Sequence, residues 1–124
     1  MFDRAPLASL ALGTNNSAIS AIGNDYGFEK IFSRQIEGIG NNQDLLIIFT
    51  TSGNSKNLIE AIKIANKKNL KIISFTGNDG GKVKKMTKFN YNINSTDTAR
   101  IQECHLFLIH LIIEVIEIEN KKKI

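Results

Sequence analysis

The stretch LLIIFTTSGNSKNLIEAIKIAN, residues 45–66, decides the fold class. It opens on five apolar residues in a row, Leu45 to Phe49. Such a run predicts a strand over Asp44 to Thr50 that is covered on both faces, as strands of a parallel sheet are. Thr51, Ser52, Gly53, Asn54 and Ser55 interrupt it with small polar residues and a glycine. From Asn54 to Asn66 the apolar residues Leu58, Ile59, Ile62 and Ala65 recur at helical spacing. Strand, small-residue loop and amphipathic helix together make most of a β-α-β unit.

The same alternation continues outward. Leu70 to Phe75 is a second apolar strand, and Thr76-Gly77-Asn78-Asp79-Gly80-Gly81 is a loop by composition. Lys82 to Thr87 predicts a short helix, Phe89 to Ile93 a more polar edge strand, and Thr98 to Glu119 a long last helix. Residues 120–124 form a charged tail. Upstream, Leu7 to Leu12 is expected as the first strand and Asn15 to Gly23 as a short helix. Phe28 to Ile39 places Phe28, Ile31, Phe32, Gln35, Ile36 and Ile39 on one helix, which Gly38, Gly40 and Asn41-Asn42 end. The expected architecture is α/β, a parallel sheet flanked by helices, flavodoxin-like or Rossmann-like. Nothing precedes the first strand to cover one flank of that sheet.

Length and composition agree with one soluble domain. The chain has 124 residues, 42% hydrophobic and 23% charged, ordinary values for a globular protein. One cysteine, Cys104, excludes a disulfide framework and a cysteine-based zinc cluster. With a single Pro and no Trp, it fits a reduced, cytoplasmic setting. The net charge is +4. Lys67, Lys68, Lys84, Lys85 and Lys121 to Lys123 fall at helix ends or in the tail, as solvated lysines do. No Arg-rich stretch or basic–aromatic interleaving points to nucleic acid. The most apolar stretch, Leu106 to Ile113, is broken by His110 and ends at Glu114, short of the roughly 20 residues a membrane span needs. The apolar core of Leu7 to Leu12 is too short for a signal peptide, and Asp3 interrupts any basic leader.

Three places hold residues suited to chemistry. Thr50-Thr51-Ser52-Gly53-Asn54-Ser55 lies at the carboxyl end of a strand, where open parallel sheets bind ligands. Free N–H groups at the helix start attract anions, and the hydroxyls add donors for a phosphate. The bland alternative is a helix N-cap by Ser52 or Asn54. Gly23-Asn24-Asp25-Tyr26-Gly27 offers an Asn-Asp pair for sugar hydroxyls, or a helix stop and a turn. At the start of the last helix, Gln102 and His110 differ by about 80° around the helix axis and by about 12 Å along it, an awkward span for one metal ion. His105 lies on the other side of Gln102. Apolar neighbours predict burial for His110 and a core position for Cys104. Glu114, Glu117 and Glu119 form a solvated or subunit-facing stripe.

Taken in order, these motifs resemble a known family. They are Gly23-Asn24-Asp25-Tyr26-Gly27-Phe28, Phe32-Ser33-Arg34-Gln35, Thr51-Ser52-Gly53-Asn54-Ser55-Lys56-Asn57, Thr76 to Lys82, and Thr98-Ala99-Arg100-Ile101-Gln102-Glu103 with His105 and His110. The resemblance is to the phosphoheptose isomerases of the sugar-isomerase (SIS) superfamily, and it spans nearly the whole chain. It implies isomerisation of sedoheptulose 7-phosphate to D-glycero-D-manno-heptose 7-phosphate, a precursor of lipopolysaccharide heptose, through an enediol. It implies phosphate binding by Thr50, Thr51, Ser52 and Ser55, and substrate binding by Asn24, Asp25 and Gln102. It also implies a zinc ion held in part by Gln102 and His110, with His110 as an acid/base residue, and a homotetramer.

The sequence departs from that pattern. Family chains are longer at the N-terminus, where they carry a Gly-Asn-Gly-Gly-Ser loop, a zinc-binding His and a Glu that is both ligand and base. None has a counterpart here. Thr50 replaces the usual Ser, and Asn16 a frequent Asp. The expectation is one SIS domain over residues 1–124, the C-terminal portion of the family chain, with half a site and weak or no turnover alone. The alternative is a non-catalytic SIS module that binds a sugar phosphate or a protein partner. Retention of Gln102 with His110 favours the enzyme.

Overall fold

The computed structural model describes residues 5–121, leaving aside the side chain of Lys121. The order is α1 (Asn16–Tyr26), a 3₁₀ turn (Phe28–Lys30), α2 (Ser33–Ile39), β1 (Leu45–Thr50), α3 (Lys56–Lys67), β2 (Lys71–Gly77), α4 (Gly81–Met86), β3 (Phe89–Ile93) and α5 (Thr98–Lys121). The strands form one parallel sheet in the order β1-β2-β3. Leu46 pairs with Ile72, Ile48 with Ser74 and Thr50 with Thr76, while Ser74 pairs with Asn90 and Thr76 with Asn92. This is the α/β architecture expected from residues 45–66.

Local chemistry sets the element ends. The Asn15 side chain caps α1 by accepting from the Ala18 N–H at 3.0 Å. The helix stops at Gly27, whose φ is +91°. Asp97 caps α5, its carboxylate accepting from the N–H groups of Ala99 and Arg100.

The two faces of the sheet are unlike. On one, Ile48 and Ile72 pack with Ile62, Ala65 and Val83 of α3 and α4, and Leu46, Leu58, Ile59, Leu70 and Met86 close around them. Toward β3 this face turns polar. Asn90 Nδ2 donates to Ser74 Oγ at 2.8 Å and to Thr76 Oγ1 at 3.0 Å. Thr76 Oγ1 donates to Asn92 Oδ1 at 2.8 Å, and Ser74 Oγ shares a 2.6 Å bond with Thr87 Oγ1. Among the described residues no buried side-chain nitrogen or oxygen lacks a partner, so this polar seam avoids the cost of unpaired buried groups.

The other face carries Leu45, Ile47 and Phe49 of β1, Phe75 of β2, and Phe89 and Tyr91 of β3. Phe75 stacks between Phe49, 4.8 Å away, and Tyr91, 5.4 Å away. All of these except Phe75 remain exposed. The expectation of a β1 covered on both faces is corrected: among the described residues its α3 side is covered, and on the other side Leu45, Ile47 and Phe49 stay exposed, with only Phe49 meeting α5, at His105.

Other corrections follow from the same surface. Leu7 to Leu12 is not a strand. It is irregular and mostly exposed, and an apolar segment becomes a strand only beside a hydrogen-bonding neighbour. The helix expected over Phe28 to Ile39 is divided into the 3₁₀ turn and α2. Asn120 and Lys121 belong to α5, and the rest of the expected tail, 122–124, lies outside the described residues.

The 3₁₀ turn is tied to α3 by an ion triad. Lys30 Nζ lies 2.7 Å from Glu60 Oε2, and Lys63 Nζ 2.6 Å from Glu60 Oε1. The hydrogen bond from Lys30, and after it that from Lys63, lower the Glu60 carboxyl to about 2. Its stabilising contribution is therefore complete above the ordinary carboxyl value of 4.5 and is lost as the pH falls toward 2.

Two outcomes are expected. In urea unfolding, Ile62→Ala removes about 3 kcal/mol, whereas Ile47→Ala on the open face removes less than about 1.5 kcal/mol. Glu60→Gln flattens the loss of stability between pH 4.5 and about 2, measured by thermal melts across that range.

Candidate functional site

Two loops meet at the carboxyl end of the sheet. Residues 51–55 join β1 to α3, and residues 78–80 join β2 to α4. They touch backbone to backbone. A Cβ added at Gly53 would lie 2.0 Å from the Gly80 carbonyl oxygen, and one at Gly81 2.7 Å from the Ser52 oxygen. Gly53 also has φ +65°, a conformation glycine adopts without the Cβ penalty. The Val83 N–H donates to the Gly53 carbonyl at 2.9 Å, and the Lys82 N–H to Asn54 Oδ1 at 3.2 Å.

Within the first loop each hydroxyl has a different role. Thr50 is buried, and its Oγ1 accepts from the Gly53 N–H at 3.1 Å. It shapes the loop from beneath. Ser52 is exposed; its Oγ accepts from the Asn54 N–H at 3.2 Å, and its carbonyl accepts from Asn54 Nδ2 at 3.0 Å. Thr51 and Ser55 are half-buried. Ser55 is the N-cap residue of α3, and its side chain makes no capping bond. The alternative of an N-cap by Ser52 or Asn54 does not hold, because the N-cap residue is Ser55, and the first N–H groups of α3 keep their affinity for an anion. A cleft of about 360 Å³ beside the loop is lined by Asn54, Asp79, Gly81, Lys82, Lys84 and Lys85. Its lysines add a positive field.

The other expected site residues lie apart. Asn24 and Asp25 sit in the last turn of α1, not in a loop, and Asn24 Nδ2 donates to Asp25 Oδ1 at 2.9 Å. Among the described residues no hydrogen bond joins either to residues 51–55. Gln102 and His110 are both exposed on α5. The expected burial of His110 is therefore corrected, as is the core position of Cys104, which is exposed. The buried histidine is His105, at 4% exposure. Its Nε2 donates to the Thr76 carbonyl at 3.2 Å, and its ring lies against Phe49 and Phe75. Ile101, one turn earlier, is also buried. These two are the only fully buried residues among those described on α5. Their i, i+4 spacing puts both on one side of the helix, but Leu106 and His110 share that spacing, so it did not mark the anchored side.

Among the described residues no three His, Cys, Asp or Glu side chains converge where they could hold a metal ion. Gln102 and His110 alone do not make a zinc site.

The sequence profile of the SIS domain matches residues 1–77. The chain belongs to the SIS domain family. It is 47% identical over 115 residues to a phosphoheptose isomerase of Campylobacter concisus, covering 93% of this chain and 61% of that one. It is 48% identical over 118 residues to the phosphoheptose isomerase of a Neisseria meningitidis strain, covering 93% and 60%. Among solved structures, a phosphoheptose isomerase from Neisseria gonorrhoeae superimposes with a TM-score of 0.87 at 46% identity, over 89% of this chain and 61% of that one. One from Francisella tularensis gives 0.89 at 36% identity, over 91% and 61%. The chain thus spans about three-fifths of the length of these relatives. No helix among the described residues is long and apolar enough to cross a membrane.

Gly53→Ala is expected to cost about 2 kcal/mol or more, because it combines a left-handed backbone with a backbone clash. A thermal melt measures it.

Proposed function

We propose that this SIS domain binds the phosphate of a sugar phosphate on residues 51–55 and forms part of a sedoheptulose 7-phosphate isomerase. The observation that carries the reading is the loop itself. Its Thr51, Ser52 and Gly53 carbonyls are all engaged by protein donors, and an exposed loop with its acceptors occupied and a helix N-terminus behind it suits an anion. The similarity to phosphoheptose isomerases over nearly the whole chain supports the substrate class.

The reaction transfers a proton between adjacent carbons through an enediol. It requires an acid/base pair and stabilisation of the developing oxyanion. His110 is the candidate acid/base residue of this chain, since imidazole exchanges protons near neutral pH. Thr51, Ser52 and Ser55 fix the phosphate so that the reacting carbons are held in register with it. Asn24 and Asp25 are candidates for the sugar hydroxyls, and Gln102 for the reacting end. Gln102 and His110 would serve a zinc ion only together with further ligands, since among the described residues no cluster of His, Cys, Asp or Glu completes such a site. The apolar surface of α5, with Leu106, Phe107, Leu111, Ile113 and Val115 exposed, is the candidate subunit contact of a homotetramer.

The test is calorimetric titration of the chain with sedoheptulose 7-phosphate, paired with a turnover assay. Binding is expected, weakened about thirtyfold in the Ser52→Ala/Ser55→Ala double variant through two lost hydrogen bonds of about 1 kcal/mol each. Turnover by this chain alone is expected to be little or none. Absence of binding would sink the phosphate reading, and robust turnover would sink the reading of a partial site.

A further inference from the structure

Asn78 stands where the second loop meets the first. Its φ is +52°, which asparagine tolerates better than most residues with a side chain. Three bonds hold it. Its N–H donates to the Ser95 carbonyl at 3.0 Å. Its carbonyl accepts from Asn92 Nδ2 at 2.9 Å. Its own Nδ2 donates to the Thr51 carbonyl at 3.0 Å. The first two bonds fix the Asn78 backbone to β3 and to the approach of α5. The third is therefore aimed by parts of the fold outside both loops.

That third bond acts on a peptide plane. The C=O of Thr51 and the N–H of Ser52 belong to one planar trans peptide and point opposite ways. Drawing the Thr51 oxygen toward Asn78 turns the Ser52 N–H to the other side. The neighbouring N–H groups are engaged: that of Gly53 with Thr50 Oγ1, and that of Asn54 with Ser52 Oγ. Among the described residues the Ser52 N–H donates to no protein acceptor. With the Ser55 N–H, which likewise donates to no protein acceptor among the described residues, it is a loop donor left for a ligand.

We infer that Asn78 is a positioning residue for anion binding: its side-chain amide holds the Thr51–Ser52 peptide so that the Ser52 N–H faces a phosphate oxygen. Asn78 does not touch the anion. The inference rests on the phosphate reading of residues 51–55.

The test uses inorganic phosphate titrated into the ¹⁵N-labelled 124-residue chain, with the Ser52 and Ser55 amides followed by NMR. Asn78→Asp keeps the size and the tolerance of positive φ but replaces the donor with an oxygen facing the Thr51 carbonyl. Asn78→Gly keeps the backbone and removes the side chain. In the parent, both amides are expected to respond to phosphate. Both variants are expected to bind it about five- to tenfold more weakly, the loss of one positioning hydrogen bond, and the Ser52 amide is expected to stop responding. A role confined to stability would lower the melting temperature and leave the responding amides unchanged, which overturns the inference. Variants that bind like the parent, with Ser52 still responding, overturn it as well. A parent that shows no phosphate response overturns the phosphate reading itself, and that is seen before any substitution is made. If Asn78→Asp does not fold, Asn78→Gly, which carries no backbone strain, decides between these outcomes by the same readout.

Discussion

The contact between Gly53 and the Gly80-Gly81 pair is the constraint on which the carboxyl end of the sheet depends. Two backbones approach there more closely than any side chain would allow. That approach lets the Val83 N–H reach Gly53 and the Lys82 N–H reach Asn54, so the start of α4 is bonded to the loop that precedes α3. Once the loops are joined, the helices behind them have fixed origins. Ile62, Ala65 and Val83 can then close on Ile48 and Ile72 in a single core. Chain conformation at one point thus governs packing across a whole face.

The polar seam between β2 and β3 extends the same constraint sideways. Ser74, Thr76, Asn90 and Asn92 form a bonded ladder that ends on the Asn78 carbonyl. A buried polar ladder of this kind has one good arrangement, because every donor must find its acceptor. An apolar seam would tolerate a slipped register more readily. Here the register of β3 and the position of the second loop are set together.

Much of this was legible in residues 45–66. A long apolar run, a glycine-bearing polar break and a 3.6-residue repeat leave few alternatives, and β1, α3 and β2 lie close to their expected places. What could not be read was the environment of each face. The run at Leu45 to Phe49 is apolar enough for two covered faces, but among the described residues the second face meets a helix only where His105 reaches Phe49, and Leu45 and Ile47 stay exposed. Leu7 to Leu12 has strand composition but, among the described residues, no strand beside it. In α5 the apolar residues surround the helix almost completely, so periodicity could not separate His105 from His110. Only contact with Phe49 and Phe75 distinguishes them. The Thr51 to Ser55 loop was recognisable from composition, but the part played by Asn78 was not, since it depends on a bond between residues 27 positions apart.

The anchoring of α5 has a mechanical consequence. The helix is fastened to the sheet at Ile101 and His105, close to its first turns, so it behaves as a lever pivoted near one end. His110 lies only about 7 Å beyond the pivot, while the end of the described helix lies about 24 Å beyond it. A tilt of about 10° would carry that far end through roughly 4 Å and shift the His110 backbone by little more than about 1 Å. Gln102, beside the fulcrum, would scarcely move. Any tilt at that pivot would thus displace the apolar far half of the described helix several times further than Gln102 or His110.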